Sequence, residues 1–246
     1  MQLHGLSKLT LLDFPGHLAC TVFTGACNFR CPFCHNAPLV LTPDACPPIS
    51  ETEFFDFLSS RKNKLDGVCI TGGEPTLQPE LPDFIARIKD LGFLVKLDTN
   101  GYRPEILKTL LEKQLPDMVA MDIKNSKDHY ALTCGMKENH FDLNRIEESI
   151  SLLLTSGISH EFRTTVTAEL HSKDSMTELA AWLAGLAQKV LGRSTLPSPY
   201  FLQNFKDSGD LVSCIKNRFH PVAEDDLQAW LPLLTPFIPN TKLRGQ

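Results

Sequence analysis

Cys27-Asn28-Phe29-Arg30-Cys31-Pro32-Phe33-Cys34 puts three cysteines into eight residues, with the spacing C-x3-C-x2-C. A loop this tight wraps its thiols around one small inorganic core. Thiolates are soft ligands that suit iron–sulfur clusters, zinc or Cu(I). In a cubane [4Fe–4S] cluster, three local thiolates leave one iron without a protein ligand, much as catalytic zinc sites keep one position open. Such an iron can bind a substrate. A zinc knuckle with a histidine as fourth ligand is the competing reading. His35 follows Cys34 directly, which is poor geometry for the same tetrahedron, and no C-x2-C pair lies downstream. Cys20, Cys46, Cys69, Cys134 and Cys214 are scattered and do not make a disulfide framework.

Working outward from the loop, short apolar runs alternate with longer amphipathic stretches, the pattern of repeated βα units. His17–Thr24 reads as a strand running straight into the cysteine loop. Ser50 and Glu53 form a capping box that opens a helix. Val68–Thr71 reads as a second strand, followed by a helix with Leu81, Phe84, Ile85, Ile88 and Leu91 at helical spacing. Strands at Phe93–Asp98, Met118–Lys124, Phe162–Thr167 and Tyr200–Phe205 follow, with helices between them. One of these helices spans Asp142 to Ser156, and another is opened by a Ser175/Glu178 capping box. Six parallel strands with crossover helices make an α/β fold and suit a partial (β/α)6 barrel in one domain. In that expectation residues 1–246 form the domain, 25–36 the cluster loop, and 195–246 a C-terminal extension packing on the barrel.

Parallel-barrel enzymes build their sites at the C-terminal ends of the strands. Here every such end is polar or glycine-rich. Gly72-Gly73-Glu74-Pro75 follows the second strand and Asp98-Thr99-Asn100-Gly101 the third. Asp122 and Lys124 close the fourth, Arg163 and Thr165 lie on the fifth, and Gln203 and Asn204 on the sixth. Residues i and i+2 share a strand face, so Asp122 points with Lys124 and Arg163 with Thr165. A solvated ion pair is the plainer reading of Asp122–Lys124, and a turn with positive φ the plainer reading of Gly72-Gly73.

Hydrophobic residues are 42% of the 246, enough for a substantial core, and the net charge of −5 with no basic run disfavours nucleic-acid binding. Met1–Gly5 shows no leader pattern, and no apolar run approaches the roughly 18 residues of a membrane span, so a cytoplasmic protein is expected.

The cysteine loop with His35-Asn36, followed by Thr71-Gly72-Gly73-Glu74-Pro75, resembles the radical S-adenosylmethionine (SAM) superfamily. The chain is most similar to the activating enzymes of glycyl radical enzymes. Among them it resembles the longer form that serves anaerobic ribonucleoside-triphosphate reductase. The resemblance also draws on Asp13-Phe14-Pro15-Gly16, Asp98-Thr99-Asn100-Gly101, Asp122-Ile123-Lys124, Arg163-Thr164-Thr165 and Leu243-Arg244-Gly245, and runs nearly end to end. Leu191–Pro199 and Lys206–His220 depart from the pattern.

The resemblance implies one [4Fe–4S] cluster on Cys27, Cys31 and Cys34, with SAM on the open iron. Reductive cleavage of SAM would give a 5′-deoxyadenosyl radical that takes a hydrogen from a glycine of a partner enzyme. Gly72, Gly73 and Glu74 would hold the methionine amino end. Asp98, Asp122 and Lys124 would bind polar groups or the ribose, Phe33 would pack near the adenine, and Arg163 would meet the carboxylate. His171 would contact the adenosine or lie on a solvated loop. A flavodoxin- or ferredoxin-type protein would supply the electron. Pyruvate formate-lyase is the alternative partner. A small-molecule radical SAM enzyme of the deazapurine synthase kind is the alternative class.

Overall fold

The computed structural model describes residues 1–207, 210–215 and 218–245. Its centre is one eight-stranded sheet: β1 Leu3–Thr10, β2 Ala19–Thr24, β3 Gly67–Gly72, β4 Leu94–Thr99, β5 Met118–Asp122, β6 Ser159–Val166, β7 Tyr200–Asn204 and β8 Thr241–Arg244. The strands lie side by side in chain order. β1 runs antiparallel to β2, and every later neighbour is parallel. Eight α-helices are described: α1 Ala37–Leu41, α2 Glu51–Ser60, α3 Leu81–Asp90, α4 Pro104–Glu112, α5 Lys127–Thr133, α6 Leu143–Thr155, α7 Lys173–Leu191 and α8 Glu224–Leu234. β2 to β7 with their crossovers are the expected partial (β/α)6 barrel.

Alternation along each strand separates two faces. Val68, Ile70, Val95 and Leu97 turn outward and pack with Phe54 and Leu58 of α2 and Phe84 and Ile88 of α3. Val119, Met121, Phe162 and Leu202 do the same against Leu107, Ile146, Ile150, Leu179 and Trp230. Burying each such side chain contributes about 1.5–3 kcal/mol. The residues between them (Thr21, Cys69, Lys96, Asp98, Asp122, Glu161 and Arg163) therefore face the opposite side, which is polar.

Several elements differ from the sequence reading. β1 was not expected, because its LHGLSKLT run alternates poorly, with Leu3 buried and Leu9 exposed. β8 and α5 are short, at 4 and 7 residues, and carry little periodicity. The segment 195–246 supplies β7, the expected sixth strand, and beyond it β8, with α8 between them. The helix expected to open at Ser175/Glu178 is capped one turn earlier. Ser172 is extended and its hydroxyl accepts from Ser175 N, while Ser175 Oγ accepts from Ser172 N. Backbone extension at Ser172, not residue type, selects the cap.

Candidate active site

A cleft of about 250 Å³ opens at the C-terminal strand ends. Its wall includes Cys27, Cys31, Cys34 and Phe33, then Gly72, Gly73 and Glu74, then Asp98, Asp122, Lys124, Arg163 and Thr165. Most of the sequence candidates thus meet in one place; His171, Gln203 and Asn204 do not line it. His171 lies behind Phe33, edge-on at 6.3 Å between ring centroids, and does not line the cleft. It is buried rather than on a solvated loop. Its Nδ1 accepts from Thr167 N at 3.1 Å and its Nε2 donates to Lys124 O at 2.9 Å. Burial lowers its pKa to about 4, so the ring is neutral. At the end of β7, Asn204 is also absent from the cleft wall, because its amide is spent on both backbone groups of Val222.

The cysteine loop is clamped by backbone contacts from three directions. On one side Glu74 N donates to Ala26 O at 2.8 Å, and Ala26 itself takes a left-handed φ of 64°. Gly73 approaches so closely that a Cβ would sit 1.9 Å from the Ala26 carbonyl oxygen, which explains a glycine here. On a second side Arg30 N donates to Cys134 O at 2.9 Å, and a Cβ on Gly135 would lie 2.1 Å from Arg30 O. On the third, Val212 N donates to Cys34 O at 3.1 Å and Ser213 N to Pro32 O at 2.9 Å. Asn36 adds a side-chain bond of 2.9 Å to Gly72 O.

Glu74 is fully buried. Its carboxylate accepts from Thr99 Oγ1 at 2.7 Å, from Asn100 N at 2.7 Å and from both polar groups of Thr76, tying the end of β3 to the end of β4. Burial pushes its pKa up against those bonds. Beside it runs a ladder of charge. Lys96 Nζ pairs with Asp98 Oδ1. Arg163 bridges Asp98 Oδ2 at 3.2 Å and Asp122 Oδ1 at 3.0 Å, and Lys124 Nζ meets Asp122 Oδ2 at 3.1 Å. Burial works to raise both carboxyls, but Arg163 with Lys96 holds Asp98 low, and Arg163 with Lys124 brings Asp122 to about 2. Lys124 is raised despite burial, chiefly by Asp122. With the Glu74 carboxyl beside them, the three cations of the ladder stand against three carboxyl groups, and Arg163 and Lys124 are the cations that line the cleft.

The residues fit a thiolate-held cluster. Burial keeps the free thiols of Cys27 and Cys31 at about 12 and raises Cys34, so the thiolates need a bound cation. Lys124 favours the thiolate form at all three. The Asn28 amide nitrogen is buried with no partner among the described residues, a donor free for a sulfur-rich guest. Among those residues no three His, Cys, Asp or Glu converge closely enough for a single ion; the thiols instead border a shared cavity. Sequence reasoning missed Asn28, Asn100, Gly135 and the Val212–Ser213 strap. Their roles come from contacts between segments far apart in the chain.

The profile of the radical SAM superfamily matches residues 21–179. A Methanocaldococcus jannaschii protein named as a glycyl-radical enzyme activating enzyme is 33% identical over 179 residues, covering 72% of each chain. The pyruvate formate-lyase-activating enzyme of Clostridium pasteurianum is 31% identical over 147 residues, covering 57% of this chain and 60% of that protein. In fold, a radical SAM methyltransferase from Sphaerobacter thermophilus superposes with a TM-score of 0.71 at 14% identity, over 96% of this chain and 68% of that one. Streptococcus suis SuiB bound to S-adenosylmethionine gives 0.64 at 14% identity, over 90% and 49%. The chain belongs to the radical SAM superfamily, and within it to the activating enzymes of glycyl-radical enzymes. Members of this superfamily work with a [4Fe–4S] cluster and SAM. Among the described residues no helix is long and apolar enough to cross a membrane.

Proposed function

We propose that this enzyme installs a glycyl radical on an anaerobic ribonucleoside-triphosphate reductase. Cys27, Cys31 and Cys34 hold the cluster. Gly72, Gly73 and Glu74 form the wall for the amino end of SAM, and Phe33 supplies an apolar surface for its adenine. Arg163 and Lys124, the cations of the ladder that line the cleft, suit the SAM carboxylate. His171 is set apart as a prop for Phe33. When bound, the cluster and SAM supply a one-electron cleavage that yields a radical able to take a hydrogen atom.

The observation that carries this reading is the convergence of the three thiols, the Gly72-Gly73 pair and the charge ladder on one cleft. A partial barrel also leaves one side open for a partner's loop, where a closed eight-stranded barrel fills its interior. The choice of reductase rests on motifs spread from Asp13 to Gly245. A second reading, pyruvate formate-lyase as partner, is favoured by the Clostridium pasteurianum relative. Either reading takes its electron from a flavodoxin- or ferredoxin-type donor.

The test is electron paramagnetic resonance of the reduced enzyme mixed with SAM and each candidate partner. A glycine-centred doublet should appear with the reductase, together with 5′-deoxyadenosine, and require both proteins. A doublet only with pyruvate formate-lyase selects the second reading. SAM cleavage coupled to turnover of a small metabolite, with no radical on either partner, overturns both.

A further inference from the structure

Of the three cluster cysteines, Cys27 has a distinct environment. Among the described residues it alone has a side-chain amide directed at its sulfur: Asn100 Nδ2 lies 3.8 Å from Cys27 Sγ. The same nitrogen donates to Asn28 Oδ1 at 2.7 Å, an oxygen that itself lies 3.9 Å from Cys27 Sγ, while the Asn28 amide nitrogen is buried with no partner among the described residues. Phe29 N adds a backbone donor 3.4 Å from that sulfur. Asn100 is held in place from two further sides. Its backbone N donates to Glu74 Oε2 at 2.7 Å, and its Oδ1 accepts from Tyr102 N at 2.9 Å. The amide is thus fixed before any cofactor arrives, on a side chain that is nearly fully buried.

We propose that the Asn28–Asn100 amide pair acts through Cys27 to set the reduction potential of the cluster, holding it within reach of the electron donor. The physical reason is charge. Reduction makes a cluster more negative, an N–H aimed at a ligating sulfur stabilises that form more than the oxidised one, and the potential rises. Burial strengthens the effect, because water does not compete for the sulfur. A hydrogen bond of ordinary net strength moves a two-state equilibrium about fivefold, which for a one-electron couple is about 40 mV. The pair is a positioning device that acts through Cys27, although Asn100 also borders the cleft beside Glu74.

The inference rests on the cluster reading, and the experiment separates the two. Full-length protein is reconstituted anaerobically, its iron counted, and its midpoint potential titrated by electron paramagnetic resonance. The wild type should carry about four irons. A wild type without iron overturns the cluster reading and this inference with it. Asn100→Ser keeps an oxygen for Tyr102 N but is too short to reach Cys27, and Asn28→Ser removes the free amide. Each should keep its iron and show a midpoint more negative by about 40 mV per fivefold shift. Iron-loaded variants with the wild-type midpoint overturn the inference alone. If one variant fails to load iron, the other decides. If both fail, the pair only holds the loop and the inference is overturned.

Discussion

Lys96 is a fully buried ammonium whose charge is met by one carboxylate, that of Asp98, with Cys69 Sγ 4.0 Å away as its other polar neighbour. Asp98→Asn keeps the shape of the side chain and removes the countercharge. The amide still satisfies part of the hydrogen bonding, but the buried ammonium is left without a countercharge. Breaking a buried pair by removing one partner costs about 3–5 kcal/mol in general, and here Asp98 is only 15% exposed, so the figure needs little discount. For a chain of this size, that lowers the melting temperature by roughly 6–20 °C. The assay is urea and thermal denaturation of the metal-free protein, run as a double-mutant cycle with Lys96→Met. Asp98→Asn alone should be severely destabilised. Lys96→Met in the Asp98→Asn background should recover most of the loss, because the stranded charge is gone. The reasoning is refuted if Asp98→Asn unfolds within about 1 kcal/mol of the wild type, the level expected of a surface pair.

Further expectations bear on other parts of the site. Any one of Cys27→Ala, Cys31→Ala and Cys34→Ala should abolish SAM cleavage in anaerobically reconstituted protein, and retained cleavage in one of them would remove that cysteine from the ligand set. Gly135→Ala and Gly157→Ala share a left-handed φ (68° and 73°), but the new Cβ meets Arg30 O at 2.1 Å only in the first. Gly157→Ala should therefore show about 1 kcal/mol of backbone strain and normal iron loading, whereas Gly135→Ala should also lose iron; equal iron content in the two would contradict the clamp. His171 has a folded pKa of about 4, below its ordinary 6.5, so between those values the unfolded chain binds the extra proton. Stability contributed by its neutral ring is thus present above pH 6.5 and lost as pH falls toward 4, by about 3 kcal/mol. His171→Gln should flatten that part of the pH–stability curve, and an unchanged curve would place the titration elsewhere.

The cluster loop and the strand ends were legible in the sequence because their signals are local. Spacing within eight residues marks the loop, and period-two alternation sets Asp122 with Lys124 and Arg163 with Thr165. What stayed hidden depends on distant partners. Arg30 meets Cys134 and Gly135 across more than a hundred positions, Asn28 meets Asn100 across 72, and His171 finds Lys124 O across 47. No local pattern distinguishes a histidine that will be buried and neutral from one on a wet loop. The Ser175/Glu178 pattern before α7 suggested one cap, and the structure uses Ser172 three residues earlier because its backbone is extended there.

The same alternation explains why this site and this fold cannot be separated. In β4, Val95 and Leu97 join the outer core while Lys96 and Asp98 turn to the opposite face, where Asp98 reaches the cleft wall. A register slip of one residue would drive the ammonium into Phe84 and Ile88 and place the aliphatics in the cleft, so the register is fixed by burial on one side and charge pairing on the other. β6 repeats the device, with Phe162 outward and Arg163 inward, and its Glu161 is held by Arg244 of β8 through two bonds of 2.6 and 2.7 Å. The ladder thus spans β4 to β6 and the Glu161–Arg244 pair continues it to β8, joining strands that share no helix. Charges buried this way give little net stability. They persist in register because each is needed to neutralise the next.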